Sequence, residues 1–135
     1  MRSIKFRAWD ERNKVMHFDF QFVKSGEKGN DWILFVSDKQ TLANYDKWTS
    51  NPYFSQQLKI MQYTGLKDCK GKEIFEGDII RYQNFPNKWK DPVVIIWNIK
   101  EAKFDFKDSF NGLIYNVMEV LGNIHEHPHL LEGKQ

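Results

Sequence analysis

The stretch QYTGLKDCKGKEIFEGDIIRY, Gln62 to Tyr82, decides how the rest of the chain is arranged. Entering it, Leu58 to Tyr63 alternates, with Leu58, Ile60 and Gln62 on one side and Lys59, Met61 and Tyr63 on the other. Leu58 and Ile60 form a short apolar row, which predicts a half-buried strand. Thr64-Gly65 is expected to break that strand, because glycine takes backbone angles that a strand residue does not. Lys67 to Lys72 is polar and predicts a turn closed by Gly71. Ile74-Phe75 returns to apolar. Glu76-Gly77-Asp78 predicts a second tight turn with Gly77 at positive φ, and Ile79 to Tyr82 leaves it as a strand.

A Gly-Asp turn feeding an apolar-x-apolar strand is the pattern of small SH3-like barrels. The whole stretch is more specific than its parts. Met61 to Ile79, MQYTGLKDCKGKEIFEGDI, closely resembles the hallmark segment MQYTGLKDKNGKEIYEGDI of the YopX family of phage and prophage proteins. Ile4 to Asp10, IKFRAWD, and Glu119 to Ile124, EVLGNI, resemble it too. The similarity covers both ends and the middle, whereas residues 21–57 and 83–117 depart freely. It implies an SH3-like barrel and a phage or prophage origin. It implies no catalytic residue, because the family has no established biochemical activity.

Working outward, 135 residues predict one domain, or one domain with an appendage, able to bury a core without staples. Aromatics make up 16%, with eleven Phe, five Trp and five Tyr, which favours β structure and cross-strand packing. Charged residues are mixed in sign, and a net charge of +2 is too small to imply nucleic acid by itself. The single cysteine, Cys69, forms no intramolecular disulfide and is expected on an exposed turn, which fits a reducing cytoplasm. Met1-Arg2-Ser3 leads straight into an alternating strand, and no window holds the ~20 apolar residues needed to span a bilayer. A cytoplasmic protein with no membrane partner is expected.

Ile4 to Trp9 alternates as a first strand, and Asp10 to Asn13 is a polar turn. Lys14 to Phe22 then predicts one returning strand with Met16, Phe18, Phe20 and Phe22 on a single face. That aromatic face needs cover from the rest of the protein or from another subunit, so self-association is expected. Ser25 to Asn30 predicts a loop, and Trp32 to Val36 a strand buried on both faces. Lys39 to Trp48 fits one short helix or an irregular connector, ended at Asn51-Pro52. Pro92 opens Val93 to Trp97, read as a buried strand. Lys103 to Phe106 alternates, Leu113 to Met118 predicts a strand, and Val120 to Ile124 another. His125 onward reads as a tail. The expected fold is therefore mostly β. Residues 58–135 form the SH3-like barrel with its tail, and residues 1–57 form an antiparallel hairpin and a connector with at most one short helix.

Three groups of residues invite a functional reading. In the loop after the central stretch, Arg81, Lys88 and Lys90 interleave with Tyr82, Phe85 and Trp89. Basic groups neutralise phosphates and aromatic faces stack unpaired bases. Trp, Tyr and Arg also dominate protein interfaces. The bland alternative is that Trp89 and Phe85 fold back to plug the barrel end. The second group, His125, His127 and His129, supplies only three metal ligands in a tail, so no metal is assigned. The third, Asp68, Glu73, Glu76 and Asp78, could do acid–base work only in a cleft that separates their pKa values, and each has a ready job in a turn.

These residues point to a non-catalytic phage or prophage accessory protein with no cofactor, binding a host or phage protein through the 81–90 loop. A nucleic-acid-binding module using the same loop is the alternative. An enzyme of unknown class is a remote third, since no sequence motif names a reaction.

Overall fold

A computed structural model describes residues 3–11, 14–18, 20–25, 31–36, 58–84, 88–106 and 117–132. The chain divides into two compact units, one of residues 6–60 and one of residues 1–5 with 61–135. Both consist of antiparallel strands. In the first unit β1 (Phe6–Asp10) pairs with β2 (Val15–His17), Ala8 opposite His17 and Asp10 opposite Val15. Next, β3 (Phe20–Ser25) pairs with β4 (Asp31–Val36), Phe20 opposite Val36 and Ser25 opposite Asp31. The single returning strand expected over Lys14 to Phe22 is thus two strands with different partners. Only Val15 to His17 returns along β1. The next strand pairs onward in sequence instead, with β4.

The second unit starts with β5 (Leu58–Lys67), which crosses the boundary between units, and β6 (Glu73–Phe75). Strand β5 does not end at Thr64-Gly65 as the sequence predicts. It runs on to Lys67, with Gly65 at φ 89 inside an irregularity where the β5–β6 register shifts between Tyr63 and Lys67. Glycine's freedom is spent on bending the strand rather than stopping it. The buried side of β5 is also the opposite of the expected one. Met61 and Tyr63 are 5% and 6% exposed, whereas Ile60 is 43% exposed. With a period of two, a strand must commit to one side, and the larger Met and Tyr side chains take it.

The rest of this unit is one five-stranded sheet. Its strands are β7 (Asp78–Asn84), β8 (Lys88–Trp89), β9 (Val93–Asn98), β10 (Lys103–Phe106) and β11 (Met118–Asn123). The order is β10-β9-β7-β11, with β8 paired to β7. Register fixes which residues face each other: Ile80 opposite Val93 and Val120, Arg81 opposite Glu119, Tyr82 opposite Met118. The sheet and the β5–β6 hairpin curl around Ile74, Ile80, Ile95, Phe106 and Met118, with Tyr82, Val93 and Val120 packed against that cluster. This mostly β, barrel-like architecture is the one the sequence predicts.

Two turns place the sheet. At Glu76-Gly77, Gly77 has φ 78, as the sequence requires, and a Cβ there would sit 3.1 Å from the Met61 sulfur. Its N–H donates to the carbonyl of Ile95 (2.8 Å), and its carbonyl accepts from the N–H of Ile124 (2.9 Å). The buried Asp78 carboxylate closes the turn by accepting from the N–H of Phe75 at 2.8 Å. The second turn is ordered by Asp68. Its Oδ1 accepts from the N–H groups of Lys70 and Lys72, and its Oδ2 from that of Val120 on β11. Gly71 closes this turn at φ 83, and Cys69 is exposed on it, both as expected.

Three further expectations change. Strand β9 is not buried throughout: Ile95 is inside, but Ile96 and Trp97 are exposed, with Trp97 in edge contact with Phe104 (4.9 Å between centroids). Two faces of a strand can both be buried only where something covers each, and the outer end of β9 lacks that among the described residues. Met118 belongs to the same strand as Val120, since β11 runs unbroken past a register shift at Leu121. The residues from His125 do not trail away. Asn123 Oδ1 accepts from the N–H groups of His125 and Glu126, and Pro128–Leu131 forms a short 3-10 helix. The short helix proposed for Lys39 to Trp48 and the strand from Leu113 to Asn116 lie outside the described residues. No helix among the described residues is long and apolar enough to cross a membrane.

Candidate binding hairpin on strands 7 and 8

Strand β7 carries the barrel at one end and the candidate site at the other. At its start Ile79 and Ile80 are both buried, as a continuous apolar pair predicts. Past Tyr82 the strand leaves the core and continues into a hairpin with β8, where Gln83 pairs with Trp89 and Asn84 with Lys88. The Lys90 N–H donates to the Tyr82 carbonyl (2.9 Å), which extends the ladder by one rung.

The sequence-predicted residues separate into three kinds. Tyr82 faces inward, stacked on Phe106 with centroids 4.9 Å apart, and serves the core. Arg81 and Trp89 form a unit. The Arg81 guanidinium lies over the Trp89 ring, 4.2 Å from carbon to centroid. Lys88 and Lys90 are exposed on either side of Trp89 in sequence, with no ion pair among the described residues. Phe85 lies outside the described residues. Trp89 is half-buried and is not part of the core cluster.

Sequence reading missed Glu119 and Lys70. Glu119 stands directly opposite Arg81 in the β7–β11 register. It is only 7% exposed. Its Oε2 accepts from Arg81 Nε at 2.6 Å and lies 2.5 Å from Nη2, while its Oε1 lies 2.5 Å from Lys70 Nζ. Lys70 first and Arg81 second hold the Glu119 carboxyl below the usual carboxylate range, and Glu119 in turn raises the Lys70 ammonium. The carboxylate is therefore ionised at neutral pH and shared between two cations. The signal was a lone acid between the apolar Met118 and Val120, but its partner is visible only once the register is known.

The geometry defines what this surface offers. One edge of the Arg81 guanidinium is held by Glu119 and one face is covered by indole. The remaining edge, carrying Nη1, has no partner among the described residues. A guanidinium fixed on two sides is pre-organised to receive a further planar anion without losing much side-chain entropy.

The other candidate groups are absorbed by structure. Asp68, Glu76 and Asp78 accept backbone N–H groups, Glu76 from Gln62 at 3.0 Å, and Glu73 pairs with Lys5. His127 Nδ1 accepts from the Asn123 N–H (3.3 Å), and its ring lies against Gly122, where a Cβ would come within 2.6 Å of it. His129 makes an edge contact with that ring. Among the described residues no group of His, Cys, Asp and Glu is arranged to hold a metal ion.

The YopX protein family profile matches residues 5–132. The chain belongs to the YopX family. Of the solved structures, this YopX chain is similar to the crystal structure of protein EF1440 from Enterococcus faecalis. The two are 29% identical, the match covers 98% of this chain and 100% of that one, and the TM-score is 0.57. A comparison with functionally curated proteins finds no match.

Proposed function

We propose that this YopX-family chain is a non-catalytic phage or prophage accessory protein that binds a protein partner, from host or phage, through the β7–β8 hairpin. The observation that carries the reading is the fixed Trp89–Arg81–Glu119 row. A large aromatic held in place, next to a guanidinium with one open edge, is the make-up of an interface anchor. The carboxylates that could have served catalysis are bound to backbone donors or to lysine, which favours a binding role over an enzymatic one. Nucleic acid is the second reading. It is weakened because Arg81 already spends two donors on Glu119 and one indole face is occupied by Arg81. Phosphate neutralisation at this hairpin would then fall mainly to Lys88 and Lys90.

The test is affinity purification of the full chain from host lysate, with and without nuclease, beside the Trp89→Ala variant. A protein that is retained after nuclease treatment and lost with Trp89→Ala, while the variant melts cooperatively, is the expected result. Retention that disappears with nuclease would transfer the assignment to nucleic acid. Retention indifferent to Trp89 would remove the hairpin from the site.

A further inference from the structure

The cations of the second unit fall into two groups. Lys5, Lys70, Arg81 and Lys103 each touch an acid on the same unit, Glu73, Glu119, Glu119 and Glu101. Lys67, Lys72, Lys88, Lys90 and Lys100 touch none among the described residues, and of these Lys88 and Lys90 flank Trp89, whose ring lies against the Arg81 guanidinium. The nearest acid in sequence, Asp91, is exposed and follows Lys90 beyond the end of β8. The hairpin therefore presents an open guanidinium edge beside the indole on one face and, on the other, two ammonium groups with no ion pair among the described residues. The charge missing from this surface is negative, and the Arg81 fork is shaped for a carboxylate.

We infer that the partner's docking segment is an acidic peptide, in which one carboxylate meets the open edge of Arg81 and neighbouring acids meet Lys88 and Lys90. This rests on the protein-binding reading of the hairpin and adds the chemical class of its partner. Glu119 does not compete for the open edge, because it approaches Arg81 from the Nε and Nη2 side. Its second oxygen is held by Lys70, which fixes the direction in which the fork points. Alternation on β8 puts Lys88 and Lys90 on the face opposite Trp89. An extended segment running along β8 alternates in the same way, so it can place acids toward the lysines on one face and, on the other, an apolar residue toward the indole with a carboxylate toward Arg81.

The test uses the full chain and three labelled probes of equal length. These are a peptide with Glu/Asp at every second position and Leu and Glu taking turns at the positions between, the same peptide with Gln/Asn in place of its acids, and an oligothymidylate. Anisotropy titrations at low salt should show the acidic peptide binding about tenfold or more tighter than its amide twin, the scale of a charge-assisted hydrogen bond. Raising salt from about 50 to about 200 mM should weaken it, as screening of exposed lysines requires. Lys88→Ala/Lys90→Ala and Arg81→Ala should each reduce affinity about tenfold, and Arg81→Lys should lose nearly as much as Arg81→Ala, because an ammonium cannot present a fork. Lys100→Ala, an exposed lysine in the turn between β9 and β10, should change nothing. Equal binding of the acidic and amide peptides overturns the inference, and if that binding still needs Trp89, the hairpin reading itself survives. Tighter binding of oligothymidylate overturns both. Absence of binding by any probe overturns the acidic assignment and leaves the lysate experiment to judge the hairpin.

Discussion

Strand β7 begins at a tight turn and ends in a hairpin, and the two do opposite work. At its start, Glu76-Gly77-Asp78 turns its polar groups onto the protein itself. Gly77 bonds to Ile95 and Ile124, Glu76 to Gln62, and Asp78 to Phe75. At its end, the hairpin to β8 spends part of its polar capacity inward, through Arg81 on Glu119, and leaves Lys88 and Lys90 to solvent. The difference follows from where β7 leaves the core. Ile79 and Ile80 are enclosed on both sides, so the first turn must satisfy buried groups, whereas past Tyr82 no such demand exists. Polar residues that the fold does not need are the ones free to meet a partner.

The contrast can be broken most forcefully at its buried end. Ile80 lies fully inside the cluster with Ile74, Ile95, Phe106 and Met118, so Ile80→Ala should cost about 3 kcal/mol of stability by chemical denaturation. A loss below about 1 kcal/mol would mean that the barrel core is not where β7 places it. Next in size is Gly77→Ala. Its φ of 78 and the 3.1 Å approach of the Met61 sulfur add backbone strain to crowding, for an expected loss of about 2 kcal/mol. Gly71 has the same sign of φ but open space around it, so Gly71→Ala should lose only the backbone part, about 1 kcal/mol. Equal losses at the two glycines would show that the close packing of the first turn contributes nothing.

Much of this second unit was legible in the sequence because its signals are local. Gly71 and Gly77 sit where a turn demands positive φ, Cys69 is on the exposed turn, and the strand leaving Asp78 is apolar at Ile79 and Ile80. What failed depended on information that no single window contains. The choice between Leu58/Ile60 and Met61/Tyr63 as the inner side of β5 is a register decision, made by what packs against the strand. The splitting of Lys14 to Phe22 depends on competition between β1 and β4 for the same residues. For the candidate site, Arg81 and Trp89 were legible as residue types suited to an interface. Glu119, 38 residues further on, was not, since an acid in a strand acquires meaning only from the residue opposite it.

Acid should separate the two ends of β7 through the turn that supports the second one. Burial alone would raise the Asp68 carboxyl, but the N–H groups of Val120, Lys72 and Lys70 outweigh it and hold the group below the usual range. Glu119, one residue before Val120, is lowered by Lys70 and Arg81. A carboxyl whose folded pKa is depressed stabilises the fold above its unfolded value, near 4, and that contribution is lost as pH falls through the folded value. Melting temperature should therefore stay level from neutral pH down to about 5 and fall steadily below about 4. Asp68→Asn keeps the shape but replaces one accepting oxygen by an NH2 group that cannot accept, so at least one of the three N–H donors loses its partner. It should lower stability at neutral pH by about 1 kcal/mol and flatten the acid slope. Because Asp68 anchors its turn to β11 at Val120, next to Glu119, the same variant should loosen the Lys70–Glu119–Arg81 row while sparing Gly77 and Asp78. Amide exchange read at Lys70 and Val120 against Phe75 and Gly77 measures this directly. Faster exchange confined to the first pair is the expected outcome, and equal acceleration at both would show that the two ends of β7 are not independent.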